Sequence, residues 1–187
     1  PKAVEILKNR LGSRTDITVK VLPVKYPQGA EKMLIYAVTG KKVPPGKLPM
    51  DVGVVMQNVG TAISVFRAVA LGEPQVEAYV SVTGGGITKP RNIIVPVGTP
   101  VSEILDFCGG LKPDAIKVVA GGPMMGNNLY DYNAPVMKAT SGLLILTEAE
   151  SQPGESIPCL RCGKCIEVCP VNLMPTRLSQ YSKLQRF

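Results

Sequence analysis

With 187 residues, 45% of them hydrophobic, the chain has enough apolar material to bury a core and form one or two compact domains. A net charge of +7 without any block of five adjacent Lys and Arg, no Trp, three Phe and six Tyr exclude the stacking platforms and basic tracks of a nucleic-acid binder, leaving a diffuse solvated basic surface as the default. The absence of His rules out His-ligated zinc, haem held through His and a Ser-His-Asp triad within these residues.

No stretch approaches the ~18 uninterrupted apolar residues of a membrane helix. The start at Pro1-Lys2 lacks the layout of a secretory signal, so a soluble protein is expected. A chain that begins without Met and stops at Arg186-Phe187 is expected to be a piece of a longer one. Ala3 to Leu11 reads as a helix closed by Gly12, and Ile17 to Val21 alternates as a strand. Tyr26-Pro27-Gln28-Gly29-Ala30-Glu31-Lys32 turns into a helix through about Val38, with Gly40 as its stop. The stretch from Lys41 to Asp51, rich in Pro, is a loop. Val52 to Met56 reads as a short buried strand, and Thr61 as the cap of a helix running to Leu71 and ended by Gly72.

The texture changes near residue 75. Val76 to Thr83 and Asn92 to Val97 read as strands around a Gly84-Gly85-Gly86 turn. Thr99 is expected to cap a helix with Pro100 at its first position, ended by Gly109 and Gly110. Ile116 to Ala120 and Gly142 to Thr147 are further strands, and Ser151-Gln152-Pro153-Gly154 is a linker. This order suggests a small β-grasp-like module. The glycine clusters at 84–86 and 121–122 match neither GxGxxG nor a P-loop, so turn-making outweighs a phosphate cradle. Cys108 falls at the apolar end of a helix and reads as a buried small hydrophobe.

The strongest signal comes last. From Cys159 to Pro170 the residues read CxxCxxCxxxCP, a bacterial ferredoxin run for a [4Fe–4S] cluster, with Cys159, Cys162, Cys165 and Cys169 as ligands. Two-residue spacers let a short loop wrap three thiolates around a cube, and Leu160, Ile166 and Val168 are expected to screen it from water. A zinc site usually separates its ligand pairs by a dozen or more residues, and disulfides among four such close cysteines would be strained. In two-cluster ferredoxins the fourth Cys of a run serves the other cluster. Cys169 would then belong to a second cluster, and the fourth ligand of the first would lie beyond Phe187.

Four segments in order resemble the C subunit of the Rnf electron-transport complex: Lys25 to Lys32, Val54 to Ala62, Gly121-Gly122-Pro123-Met124-Met125-Gly126 and the cysteine run. The cobalamin reductase of propanediol utilisation is similar over the same segments. Through that family the chain also resembles the flavoprotein subunit of respiratory complex I. This likeness implies that Gly29 and Glu31 lie beside flavin and nicotinamide, and that Gln57, Asn58 and Thr61 contact FMN. Ala30, Gln57 and Gly60 depart from the residues of that subunit. Asn58 and Thr61 have a plainer alternative as turn and helix cap.

The resemblance implies an α/β fold in three parts. Residues 1–75 would be the C-terminal part of an FMN/NADH-binding domain. Residues 76–150 would be a β-grasp module like the soluble ligand-binding (SLBB) type, and 151–187 the start of a ferredoxin-like [4Fe–4S] arm. It further implies cofactors FMN, NAD(H) and two [4Fe–4S] clusters in the intact subunit. Its partners would be the other subunits of an ion-translocating membrane complex, NADH and ferredoxin, with no nucleic acid. The location would be cytoplasmic, attached to the inner face of the membrane. No catalytic residue is assigned, and the fragment alone is expected to be inactive. Cobalamin reductase chemistry and a non-enzymatic ligand-binding β-grasp module are the competing readings.

Overall fold

The computed structural model describes residues 2–152, 154, 157–169 and 171–186. It divides into two compact units, Pro1–Gln57 with Pro158–Phe187, and Asn58–Ile157.

The first unit opens with helix α1 (Lys2–Leu11), whose Ile6 and Leu7 remain about half exposed. Helix α2 (Glu31–Thr39) buries Ile35 and ends at Gly40. The Lys20 ammonium donates to the carbonyl of Val38, tying the preceding segment to α2. The strand expected over Ile17 to Val21 is not formed, and Ile17 and Val21 are exposed. The strand expected over Val52 to Met56 is also missing: its first residue ends a 3-10 turn, Pro49–Val52, and Val55 is 79% exposed. Alternation alone does not make a strand. The backbone needs a neighbour to pair with, and no described residue supplies one to either segment.

The second unit begins with helix α3 (Val59–Phe66), which runs on through a π-helical turn, Arg67–Leu71, to Gly72. Its cap is Asn58, whose side-chain oxygen accepts from the amide of Gly60 at 2.9 Å; Thr61, expected as the cap, lies inside the first turn. The Arg67 guanidinium reaches Glu73 at 2.9 Å and Glu77 at 3.2 Å, clamping the end of this helical run to the first strand.

Strand β1 (Glu77–Thr83) pairs antiparallel with β2 (Arg91–Pro96), Tyr79 facing Ile94. Helix α4 (Val101–Phe107) crosses to β3 (Ala115–Ala120), followed by the two-residue β4 (Asn127–Asn128). Strand β5 (Gly142–Thr147) then inserts in the middle, parallel to β1 and antiparallel to β3, giving the order β2-β1-β5-β3-β4. A hairpin, a helix and a return strand laid parallel to the first make this a β-grasp sheet, as the sequence suggested.

One face of the sheet is the core. Ala78, Val80 and Val82 alternate inward on β1, Leu143 and Ile145 on β5, and Val101, Ile104, Leu105 and Cys108 form one stripe at helical spacing on α4 and its cap. Each large side chain fully removed from water in this way stabilises the unit by roughly 1.5–3 kcal/mol. Cys108 is fully buried, and burial pushes its thiol pKa up. Thr99 does not cap α4. Its hydroxyl donates to the carbonyl of Pro96 at 2.9 Å, and Pro100 occupies the cap position.

The expected linker from Ser151 to Gly154 starts inside a short helix, α5 (Glu148–Ser151), and its Pro153 lies outside the described residues. Thr147 and Glu150 form a reciprocal cap: the carboxylate accepts from the Thr147 amide at 2.9 Å and hydroxyl at 3.1 Å. These bonds hold the Glu150 pKa below the usual carboxylate range, the backbone amide of Thr147 being the larger cause. A depressed folded-state pKa stabilises the fold above the unfolded value of about 4.3, and the contribution is lost as pH falls through the folded pKa. Glu150→Gln is therefore expected to flatten the acid limb of stability below about pH 4.5, measured as urea midpoints against pH.

The chain returns to the first unit with α6 (Lys164–Glu167) and α7 (Pro175–Lys183). Among the described residues no helix is long and apolar enough to cross a membrane.

Candidate functional site

The cysteine loop is built from tight backbone turns. Arg161, Gly163 and Asn172 all take left-handed conformations, with φ of 55°, 77° and 54°. The first two fold the chain back between Cys159 and α6, which carries Cys165. The result is a hollow of about 610 Å³ onto which Cys159, Cys162 and Cys165 all open, its far side formed by Thr176, Arg177 and Gln180 of α7. Cys169 is not part of that lining.

Backbone amides point at two of the sulfurs. Arg161 N–H donates to Cys159 Sγ at 3.4 Å, and Leu173 N–H to Cys169 Sγ at 3.3 Å. No disulfide joins any of the five cysteines. Among the described residues no three Cys, Asp or Glu converge closely enough to share one ion. A cubane takes one thiolate at each iron corner, so its ligands surround a body rather than meet at a point. Three soft donors around one hollow, no carboxylate among its lining residues and one backbone amide aimed at the Cys159 sulfur fit such a group better than a single hard cation.

Screening is thinner than expected. Ile166 lines the hollow, but Leu160 is 86% and Val168 79% exposed. Pro170, the last residue of the motif, lies outside the described residues.

Of the residues implied as flavin contacts, Gly29, Glu31 and Gln57 belong to the first unit and Asn58 and Thr61 to the second. Asn58 and Thr61 line one hollow of about 700 Å³ in the second unit, between the start of α3 and the loop before β5. Gln75, Tyr79, Lys138, Thr140 and Ser141 are among the other residues of its wall, and the Gln75 amide donates to the Lys138 carbonyl at 3.2 Å. Gln57 is exposed and not part of this lining. Gly29 sits in the exposed turn before α2, with open space where a Cβ would stand, and Glu31 is the exposed first residue of α2.

Sequence reasoning did not anticipate Lys138 and Thr140, which stand more than sixty residues from Gln75 and meet it only through sheet closure. Nor did it single out Arg177, which no motif marks.

Residues 1–67 match the family model described as the Nuo51 FMN-binding domain, and residues 79–128 the SLBB domain. Over 179 residues the chain is 46% identical to the C subunit of the proton-translocating ferredoxin:NAD(+) oxidoreductase complex of Clostridium ljungdahlii, covering 96% of this chain and 39% of that protein. It is a homologue of that C subunit.

Two other relatives agree. The C subunit of the Na(+)-translocating ferredoxin:NAD(+) oxidoreductase complex of Acetobacterium woodii is 42% identical over 97% of this chain and 41% of its own length. The C subunit of the ion-translocating oxidoreductase complex of Rhodobacter capsulatus is 42% identical over 96% and 35%. This C-subunit homologue thus spans about two fifths or less of the curated relatives it matches. The SLBB match takes in nearly all of β1 and the whole of β2, α4, β3 and β4, while the central strand β5 lies after its end, and the segment through α1, α2 and α3 falls within the FMN-binding match.

Proposed function

We propose that this chain is a segment of the C subunit of an ion-translocating ferredoxin:NAD oxidoreductase, passing electrons between NAD(H), FMN and iron–sulfur clusters. The observation that carries the reading is the single hollow onto which Cys159, Cys162 and Cys165 open, in a chain whose first 67 residues match an FMN-binding model. Residues 1–75 serve the flavin and nicotinamide site, 76–150 the β-grasp module, and 151–187 the first half of a two-cluster arm.

When bound, FMN takes a hydride as two electrons and iron–sulfur groups pass electrons singly. The chain's own part is to hold and position. Cys159, Cys162 and Cys165 bind one cluster, while Cys169 serves a second. Asn58 and Thr61 offer an amide and a hydroxyl to polar oxygens of FMN, and Gln57, Gly29 and Glu31 are the further flavin and nicotinamide contacts of this reading. The partners are the other subunits of the membrane complex and ferredoxin, met at its cytoplasmic face.

Anaerobic iron, acid-labile sulfide and flavin analysis of the full-length protein, with EPR, tests this. About two cubanes and one FMN, bleached by NADH, are expected. A protein with neither iron nor flavin overturns the reading and leaves a ligand-binding β-grasp module in its place.

Thr61→Val gives a finer test of the flavin wall. Thr61 does not cap α3, and Val keeps its β-branched shape, so the helix is preserved while one hydroxyl is lost. FMN dissociation constants, read by flavin fluorescence, are expected to rise about fivefold, within the range for one hydrogen bond. An unchanged constant removes Thr61 from the site.

A further inference from the structure

We propose that Arg177 raises the reduction potential of the cluster held by Cys159, Cys162 and Cys165. The inference rests on the cluster reading above and concerns a residue outside the cysteine motif. Arg177 lies on α7, twelve positions after Cys165, yet it lines the same hollow as the three thiols.

The physical argument is one of charge. Reduction adds one electron to the cluster, breaks no bond and makes its overall charge more negative by one. A fixed cation facing it favours the reduced form, and net charge around a cluster is one of the levers on its potential. Arg suits this role because its guanidinium stays protonated at any working pH.

The surroundings leave that charge in force. Among the described residues no salt bridge engages Arg177 or Arg161, which lines the same hollow. Glu167 is the sole acidic residue in 158–187 against five Lys and Arg, and it is not part of the lining. Arg161 is the poorer probe because its left-handed backbone shapes the ligand loop itself. Arg177 takes an ordinary place in a helix, so its charge can be removed without disturbing the turns that set the thiols. Its exposure lets solvent screen part of the field, so the expected effect is moderate.

The test is EPR-monitored potentiometry on the full-length protein, with dithionite and mediators supplying one electron per cluster, after iron and sulfide have been counted. Arg177→Gln is expected to keep the wild-type iron content. It should shift the reduction equilibrium of one centre about tenfold toward the oxidised form, a fall of about 59 mV for a one-electron couple. Arg177→Lys, which keeps the charge, is expected to stay near the wild-type midpoint, and added salt to narrow the gap between wild type and Arg177→Gln.

An unchanged midpoint in Arg177→Gln, at full iron content, overturns the proposal. So does an equal shift in Arg177→Lys, which would make shape rather than charge the cause. Loss of iron in Arg177→Gln alone overturns it in favour of a role in holding the loop. A wild-type protein without iron is a different failure: it removes the cluster reading itself, and this inference with it.

Discussion

Replacing Cys159, Cys162 or Cys165 by Ser in the full-length protein is expected to abolish one and the same EPR component and about half of the bound iron, while Cys169→Ser perturbs the other component. The expectation follows from the division seen in the loop. Three thiols share one hollow, whereas Cys169 lies outside its lining and receives its own amide hydrogen bond, from Leu173. A serine hydroxyl does not ionise as a thiolate does, so the effect on a ligand position is near all-or-none rather than graded. The decisive comparison is between Cys165 and Cys169, four residues apart in sequence. If both replacements remove the same signal, the run wraps a single cluster by itself. The arm then needs no second set of cysteines, and the two-cluster arrangement falls.

What was legible in the sequence depended on whether the information was local. Strands β1, β2, β3 and β5 emerged close to where the sequence placed them, because each buries one face in the same core and Val80, Val82, Leu143 and Ile145 mark that face directly. Cys108 was readable for the same reason, standing at the fourth position of the α4 stripe. Ile17 to Val21 carries an equally good alternation, but a strand is a relation between two segments, and its own residues cannot say whether a partner is present. Val52 to Met56 failed in the same way.

The caps show a different limit. Asn58 and Thr61 are both acceptable cap types three residues apart, and only the backbone turn at Asn58 decides between them. Helix α5 was within reach, since Thr147 and Glu150 stand at the spacing of a capping box. Of the candidate site, the thiols were legible because their spacing is the motif. Lys138, Thr140 and Arg177 were not, since each reaches its hollow through the fold rather than through neighbours in the chain.

The glycines of the β-grasp turn carry the largest expected effect on stability. Gly84 has φ of +111°, and a Cβ there would stand 2.0 Å from the carbonyl oxygen of Ile145 and 2.7 Å from its carbon. Those atoms belong to the backbone of β5, the strand at the centre of the sheet, and cannot give way without breaking its pairing with β1 and β3. Gly98 isolates the conformational part of the cost, because its φ of +102° is nearly the same while nothing lies within 4 Å of its Cβ position. Gly98→Ala is expected to cost about 1–3 kcal/mol from backbone strain alone. Gly84→Ala adds a backbone overlap of the kind that costs a further 1–3 kcal/mol or more, for a total of roughly 3–5 kcal/mol. That is a large share of the ~5–15 kcal/mol that holds a typical domain together. Chemical denaturation of the two variants beside the wild type reads the difference. If Gly84→Ala proves no worse than Gly98→Ala, then β5 does not lie against this turn, and the close approach rather than a phosphate cradle ceases to be the reason for glycine at position 84.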